Sequence, residues 1–475
     1  MSVTSPRNTK SLTPLVAVSV CFVAAGLTLL WADSPTYDPW SWLVWARQLS
    51  GESVVAFSSA GASGWKPLPV VVALPFNWLG GESAPIAWLW LERTALFLIP
   101  FAAWRLGRLS AGIPGAVSAA VATLLFPEVF VYFGGLTEPV VSLMLMLGVA
   151  WAVEEKVLSA WFAGLVAVLG RPEALAAVLP WGIWEAAKRK LPLLWFTLGL
   201  VLTTLLWIGG DWIGTGKPLG LLGKADKSDE PLKIQAADQP GLEILSRLHV
   251  QPVVLVLAIA AFIAAWVWSD KVSKLLGLTI LAVGGSIVLA TQFIAYPGVP
   301  RYVVPVLPPL FALAGIGVGR LGNIPKQGWA KAALTTALLA ALVALAGPMA
   351  LRLDRTSIDW YEGRNQDDST LKAAINSAGG RKRVLECGKF TTDPTAEVSS
   401  AAWILDLQLE DVMRGGIDSV HSWNAPMLIA VSDQRLPLFK EKAAERELKP
   451  IRISQSPNWS VWSIGTRRNP PCTHP

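Results

Sequence analysis

Residues Pro14–Leu49 read PLVAVSVCFVAAGLTLLWADSPTYDPWSWLVWARQL. The first half, from about Pro14 to Trp31, carries no charged side chain. As a helix it would be about 27 Å long, close to the roughly 30 Å hydrocarbon core of a bilayer. No small-x-small cleavage site precedes Asp33, and many further apolar runs follow. An uncleaved first span is therefore expected rather than a signal peptide. After the polar turn, Trp42, Trp45 and Leu49 recur at helical spacing behind Asp38-Pro39. That pattern predicts an amphipathic helix lying along the membrane surface, its indole rings at the interface.

The rest of the chain agrees with that opening. It has 475 residues, of which 53% are hydrophobic and only 16% charged. A soluble domain carries about 25% charged residues. There are 24 Trp against 5 Tyr, and Trp favours the two edges of a bilayer. The net charge of +6 does not mark a nucleic-acid surface. The basic residues fall in short gaps between apolar runs, which is a topology signal.

Pro67–Leu79 is too short to cross and holds Pro67, Pro69 and Pro75, so it is expected to be re-entrant or interfacial. Pro85–Trp104 reads as a span ending on Arg105 and Arg108. Further runs cover roughly 113–133, 138–153, 157–170, 174–187, 191–209, 250–268, 275–295, 302–319 and 331–350, for about eleven spans. With the N-terminus inside, the inner gaps collect Arg105/Arg108, Lys156, Lys188/Arg189/Lys190, Lys271/Lys274 and Arg320/Lys326/Lys331. The positive-inside rule then places the C-terminus outside. The division expected is a cytoplasmic 1–12, a transmembrane domain 13–350 with an outer loop 32–84, and an extracytoplasmic domain 351–475.

That last part reads as a small α/β or α+β domain. Strands are expected at Arg381–Cys387, Pro426–Val431, Ile451–Ser454 and Trp459–Ile464, and helices at Ala396–Leu409 and Leu436–Glu447. Outside the cell a Cys387–Cys472 disulfide is permitted, the alternative being two free thiols. Cys21 sits in the first apolar run as a packing residue. No Cys/His spacing reads as a zinc site, and the need for a divalent cation (Mg or Mn) is left open. Trp403, Trp423, Trp459 and Trp462 are either core residues or platforms for sugar rings.

Ionisable residues gather in the outer loops. Asp38 before Pro39 suits a helix N-cap, and equally a carboxylate for proton abstraction. Lys66 stands where the re-entrant segment enters the membrane. Glu128 and Glu138 flank the next outer turn, Arg171 and Glu173 top a tight hairpin, and Arg301-Tyr302 opens a late span. Charges at a bundle mouth are costly unless paired or facing an aqueous cavity. Cations there suit a phosphate.

The order Tyr37-Asp38…Ala46-Arg47-Gln48-Leu49, Lys66-Pro67-Leu68, Phe76-Asn77-Trp78-Leu79-Gly80, Glu92-Arg93 to Arg105-Leu-Gly-Arg108, and Pro300-Arg301-Tyr302-Val-Val-Pro305 resembles the GT-C glycosyltransferases. The similarity is to their protein O-mannosyltransferase and aminoarabinose-transferase branch and covers roughly residues 13–350. It implies a membrane enzyme that moves a sugar from a polyprenyl-phosphate donor to an extracytoplasmic glycan, lipid or protein acceptor, with inversion. On this resemblance Asp38 and Glu138 are the catalytic acids, and Lys66, Arg171 and Arg301 hold the donor phosphate. Tyr37, Trp40, Arg47, Trp65, Glu128, Glu173 and Tyr302 are candidate donor or acceptor contacts. The family usually has an acidic pair where this chain has Asp38-Pro39. A transporter or flippase, or a non-catalytic scaffold for envelope assembly, are the alternatives. High Ala, Val, Leu and Trp content points to a bacterial, actinobacterial-type plasma membrane.

Overall fold

The structure is a computed structural model that describes residues 13–51, 64–80, 83–215, 234, 236–294, 296, 299–394, 397–409, 411–413, 417, 426–465 and 471–472. The N-terminal segment 1–12 and Trp423 lie outside the described residues.

Helix α1 (Thr13–Thr28) leaves Leu15, Val16, Val20, Val23 and Leu27 exposed, as a helix bathed in lipid does. Helix α2 (Tyr37–Ser50) is almost wholly buried, and α3 (Pro67–Leu79) covers the segment read as re-entrant. Helix α4 (Ser83–Thr123) is two helices joined at Ala111-Gly112, where the backbone leaves helical geometry and Gly112 takes φ +67°. The break turns the chain back on itself. Gly107 and Gly115 then approach so closely that a Cβ on either would collide with the other's backbone. The run read as 113–133 accordingly ends at Thr123, and a 3-10 turn, Val129–Gly134, follows.

The bundle continues with α5 (Glu138–Val153), α6 (Val157–Gly170), α7 (Leu175–Ala187) and α8 (Leu193–Thr204). A π turn, Leu205–Gly209, leads into α9 (Gly210–Thr215). Then come α10 (Pro240–Ser246), α11 (Pro252–Val267), α12 (Lys271–Phe293) and α13 (Leu307–Gly322). Helix α13 is the axis of the core: Phe311, Ala312, Ala314 and Ile316 are fully buried, and Gly315 and Gly319 let α4 pack against backbone. Ser83–Thr123, Lys271–Phe293, Pro300–Gly322 and Gly328–Ser377 are each long and apolar enough to cross a membrane.

Charges collect at the two ends of this bundle. At one end Arg105 donates to Glu154 (2.7 Å), Arg320 meets Asp270 (2.7 Å), and Asn323 Nδ2 donates to the Ala111 carbonyl (2.8 Å). The other end holds α2 and the site described below. Helix α14 (Gly328–Ser377) crosses the whole height without a break, so the division read at residue 351 falls inside it.

Beyond α14 a five-stranded mixed sheet forms from β1 (Lys389–Asp393), β2 (Val412–Met413), β3 (Met427–Ser432), β4 (Ile451–Gln455) and β5 (Trp459–Ile464), in the order β2-β1-β3-β5-β4. β1 runs parallel to β2 and β3, while β5 is antiparallel to β3 and β4. Met427, Ile429 and Val431 face Phe439 of α17 (Leu436–Glu445), whereas Leu428 and Ala430 join the main core beside α14. With both faces covered, β3 is a continuous apolar run. The segment Arg381–Cys387, expected as a strand, is instead part of a helix, α15 (Gly380–Glu386), with only Val384 buried. Its charged residues have no alternation to sustain a strand. The strand comes next, at β1, where Thr391 and Thr392 are fully buried. The helix read at Ala396–Leu409 is confined to α16 (Val398–Ile404). Cys387 and Cys472 form a disulfide, with Cα atoms 5.9 Å apart, that straps the tail to the sheet.

Candidate active site at the charged mouth

The chain enters the mouth through Thr36, whose backbone N–H and hydroxyl donate to the Gly134 carbonyl (2.9 and 3.2 Å). Thr36 occupies the cap position of α2, and Asp38 is the second helical residue. The capping reading of Asp38 therefore does not apply. Its buried carboxylate is ion-paired with Arg301, which sits in a 3-10 turn, Pro300–Val306, ahead of α13.

A second buried pair lies beside the first. Arg171, at the end of α6, donates to Glu138, the first residue of α5; their side chains are 4% and 0% exposed. Arg171 also approaches Glu173 (3.7 Å) and lies over the Tyr302 ring (4.2 Å). Arg301 is 5.8 Å from the same ring, so both guanidinium groups lie against one tyrosine. Tyr296 donates its hydroxyl to Glu173 (2.5 Å) and packs against Tyr302.

Lys66 completes the cluster. Its ammonium donates to Thr137 Oγ1 (2.8 Å) and lies over the Trp42 ring (4.6 Å), with no carboxylate in ion-pair range among the described residues. Burial, then Arg171 and Arg301, pull it below the ordinary lysine range, to about 7, against the opposing pull of Glu138 and Asp38. Asp38, Lys66, Glu138, Arg171 and Arg301 thus converge from five separate segments.

Other sequence candidates are placed differently. Glu128, in left-handed backbone, pairs with His249 (3.2 Å). Arg47 reaches the C-terminal domain, donating to the carbonyls of Ala402, Trp403 and Leu407. Trp40 donates to Asp368 of α14 (3.0 Å) and packs on Trp403. Trp65 donates to the Leu206 carbonyl (2.9 Å), and Tyr37 is half-buried at the start of α2. Among the described residues no group of three or more His, Cys, Asp or Glu comes together.

Arg93 entered the sequence reading only as part of the Glu92-Arg93 stretch and was given no site role, yet it fixes the mouth. Fully buried in α4, it donates to Phe133 O (2.9 Å), Ala32 O (2.8 Å), Thr28 Oγ1 (3.0 Å) and Tyr361 Oη (2.7 Å). A charge inside an apolar run was the signal available for it. Thr137 and Trp42 carried none, because their roles arise only from meeting Lys66.

No protein-family model and no curated protein sequence matches the chain. Solved structures do. ArnT from Cupriavidus metallidurans bound to undecaprenyl phosphate is 13% identical with a TM-score of 0.60, over 97% of this chain and 100% of that one. Its apo state aligns with 14% identity and a TM-score of 0.58, over 94% and 97%. The Archaeoglobus fulgidus oligosaccharyltransferase tethered with an acceptor peptide has 9% identity and a TM-score of 0.53, over 97% and 75%. Both proteins are membrane glycosyltransferases of the GT-C type. This chain is a polytopic α-helical membrane protein with the GT-C fold and a small C-terminal sheet domain.

Proposed function

We propose that the protein transfers a sugar from a polyprenyl-phosphate donor to an acceptor hydroxyl on the extracytoplasmic side of the plasma membrane, in building the cell envelope. The observation that carries this reading is the meeting of two buried carboxylates and three cations at one mouth. The fold supports it, since a structural neighbour holds undecaprenyl phosphate. Asp38 takes the acceptor proton, and the acceptor oxygen attacks the anomeric carbon as its bond to the phosphate oxygen breaks. The single displacement inverts that carbon. The leaving polyprenyl phosphate gains negative charge, which Lys66, Arg171 and Arg301 offset. Glu138 holds Arg171 in place for that task. The charge pattern of the short loops supports a mouth that faces outside and an N-terminus in the cytoplasm.

The test is transfer of radiolabel from polyprenyl-phosphate hexoses and pentoses to membrane or glycan material. Wild type is expected to transfer, and Asp38→Asn to lose at least about a hundredfold of the rate while remaining folded and inserted. Undiminished turnover by Asp38→Asn removes the assigned base. Labelled lipid crossing the bilayer with no sugar appearing on any acceptor favours a flippase instead.

A further inference from the structure

The turn that delivers Asp38 is held by one polar stripe of α14. Tyr361, Asn365 and Asp368 recur at i, i+4 and i+7, so they share a face of that helix. Tyr361 Oη donates to the Ser34 carbonyl (2.9 Å) and accepts from Arg93 (2.7 Å). Asn365 Oδ1 accepts from the backbone N–H groups of Asp33 (3.2 Å) and Ser34 (3.1 Å). Buried Asp368 accepts on Oδ2 from the Ser34 hydroxyl and from Trp40 Nε1 (3.0 Å). Ser34 lies four residues before Asp38 and Trp40 two after it. One carboxylate oxygen therefore grips the chain on both sides of the candidate base.

Helix α2 depends on such a hold. Thr36, at its cap position, makes no side-chain cap bond and gives both its donors to Gly134. Residues two apart on a helix are turned by roughly 200°. Asp38 thus meets Arg301 in the mouth while Trp40 is anchored behind it on α14. Asp368 is in turn braced from the C-terminal domain. Arg364, one helical turn earlier, stands 3.9 Å from Asp368 Oδ1 and is bound by both oxygens of Glu397. Glu397 immediately precedes α16, and Ser399 of that helix meets Ser41 of α2 (2.7 Å). Burying a carboxylate is costly, and apolar packing would join α14 to α2 more cheaply. Apolar contact is non-directional, whereas two hydrogen bonds to one oxygen fix an orientation.

We propose that Asp368 is a positioning residue that sets the place of Asp38 relative to the donor site. Through Arg364 and Glu397 it makes that place depend on how the C-terminal domain is seated. The inference rests on the reading of Asp38 as the base. Asp368 itself does not touch substrate; it acts through Ser34 and Trp40.

The test uses the full-length chain in detergent and three readouts: transfer from the radiolabelled polyprenyl-phosphate sugar, equilibrium binding of undecaprenyl phosphate, and amide exchange. Asp368→Ala is expected to lower kcat about ten- to a hundredfold, the effect of a misplaced reacting group. Affinity for undecaprenyl phosphate should stay within about twofold, because Lys66 and Arg171 are untouched. Asp368→Asn keeps an acceptor oxygen for Ser34 and Trp40 and should restore most of the rate. Trp40→Phe keeps a ring and removes the N–H, so it should slow transfer as Asp368→Ala does, and combining the two should add little. Glu397→Ala frees Arg364 to draw the Asp368 carboxylate away, and should lower kcat with donor affinity kept. Wild-type kcat in folded Asp368→Ala or in Glu397→Ala overturns the proposal. So does donor affinity that falls in step with the rate, or full additivity of Asp368→Ala and Trp40→Phe. Amide exchange over residues 34–42 needs no turnover. It should quicken about tenfold or more in Asp368→Ala, and unchanged exchange there overturns the anchoring. Quickened exchange alongside a fully active Asp38→Asn upholds the anchor and removes the base instead.

Discussion

Lys66 is the mouth cation with no carboxylate in ion-pair range among the described residues, and burial is the main reason its ammonium is held down to about 7. Charged below that pH and neutral above it, it makes the empty site lose positive charge as pH rises. Donor affinity is therefore expected to fall between pH 6 and 9, as measured by equilibrium binding of a polyprenyl phosphate. Lys66→Arg should flatten the profile, because a guanidinium stays charged throughout. Lys66→Met should weaken binding by about ten- to a hundredfold, the worth of a charge-assisted hydrogen bond. The buried Arg171–Glu138 pair gives a different signature. Removing one partner strands a charge, so Arg171→Met should destabilise by about 3–5 kcal/mol. Adding Glu138→Gln should recover most of that loss in thermal unfolding in detergent. These residues were legible in the sequence because a charge beside an apolar run has few excuses. Their pairing was not, since Asp38 at the start of α2 and Arg301 in the 3-10 turn ahead of α13 are far apart in the chain and meet only in the folded mouth.

At the scale of elements, α2 behaves as a part of both halves of the molecule. Its N-terminus carries Asp38, while its last turn sends Arg47 to three carbonyls and Asp406 of the C-terminal domain. Ser41 meets Ser399 (2.7 Å), and Trp40 is held by Asp368 and Trp403. The helix was read as interfacial from its Trp spacing, but its indoles are buried against protein. The two environments place the same demand on an amphipathic stripe, so local sequence does not separate them. Arg47→Ala should raise amide exchange over residues 37–50 by about tenfold or more, without altering α4 or α13. By contrast, Gly315→Leu strikes the bundle itself. A Cβ there would fall 2.3 Å from the Ser118 carbonyl oxygen, so loss of folded protein in size-exclusion chromatography is expected.

On the scale of the whole molecule, the membrane part was legible and the sheet domain less so. Apolar runs bounded by charge mark helices with little ambiguity, as Glu138–Val153 and Val157–Gly170 show by matching their elements end to end. The mixed sheet hides its edges: three of the five residues of β1 are threonine or lysine, and β2 has only two residues. The disulfide closes that domain across 85 positions. Replacing Cys387 and Cys472 by Ser should lower the stability of the domain by roughly 2–4 kcal/mol, read by denaturant unfolding of the full chain. One consequence of the mouth concerns timing. In the empty protein Asp38 is occupied by Arg301, and Arg171 by Glu138. Under the proposed chemistry an arriving phosphate competes for Arg301 and sets Asp38 free, so the base is idle until the donor is in place. Such an interlock protects the donor from wasteful hydrolysis and makes the kinetics ordered, donor first. Product-inhibition patterns with free polyprenyl phosphate should be competitive against donor and not against acceptor.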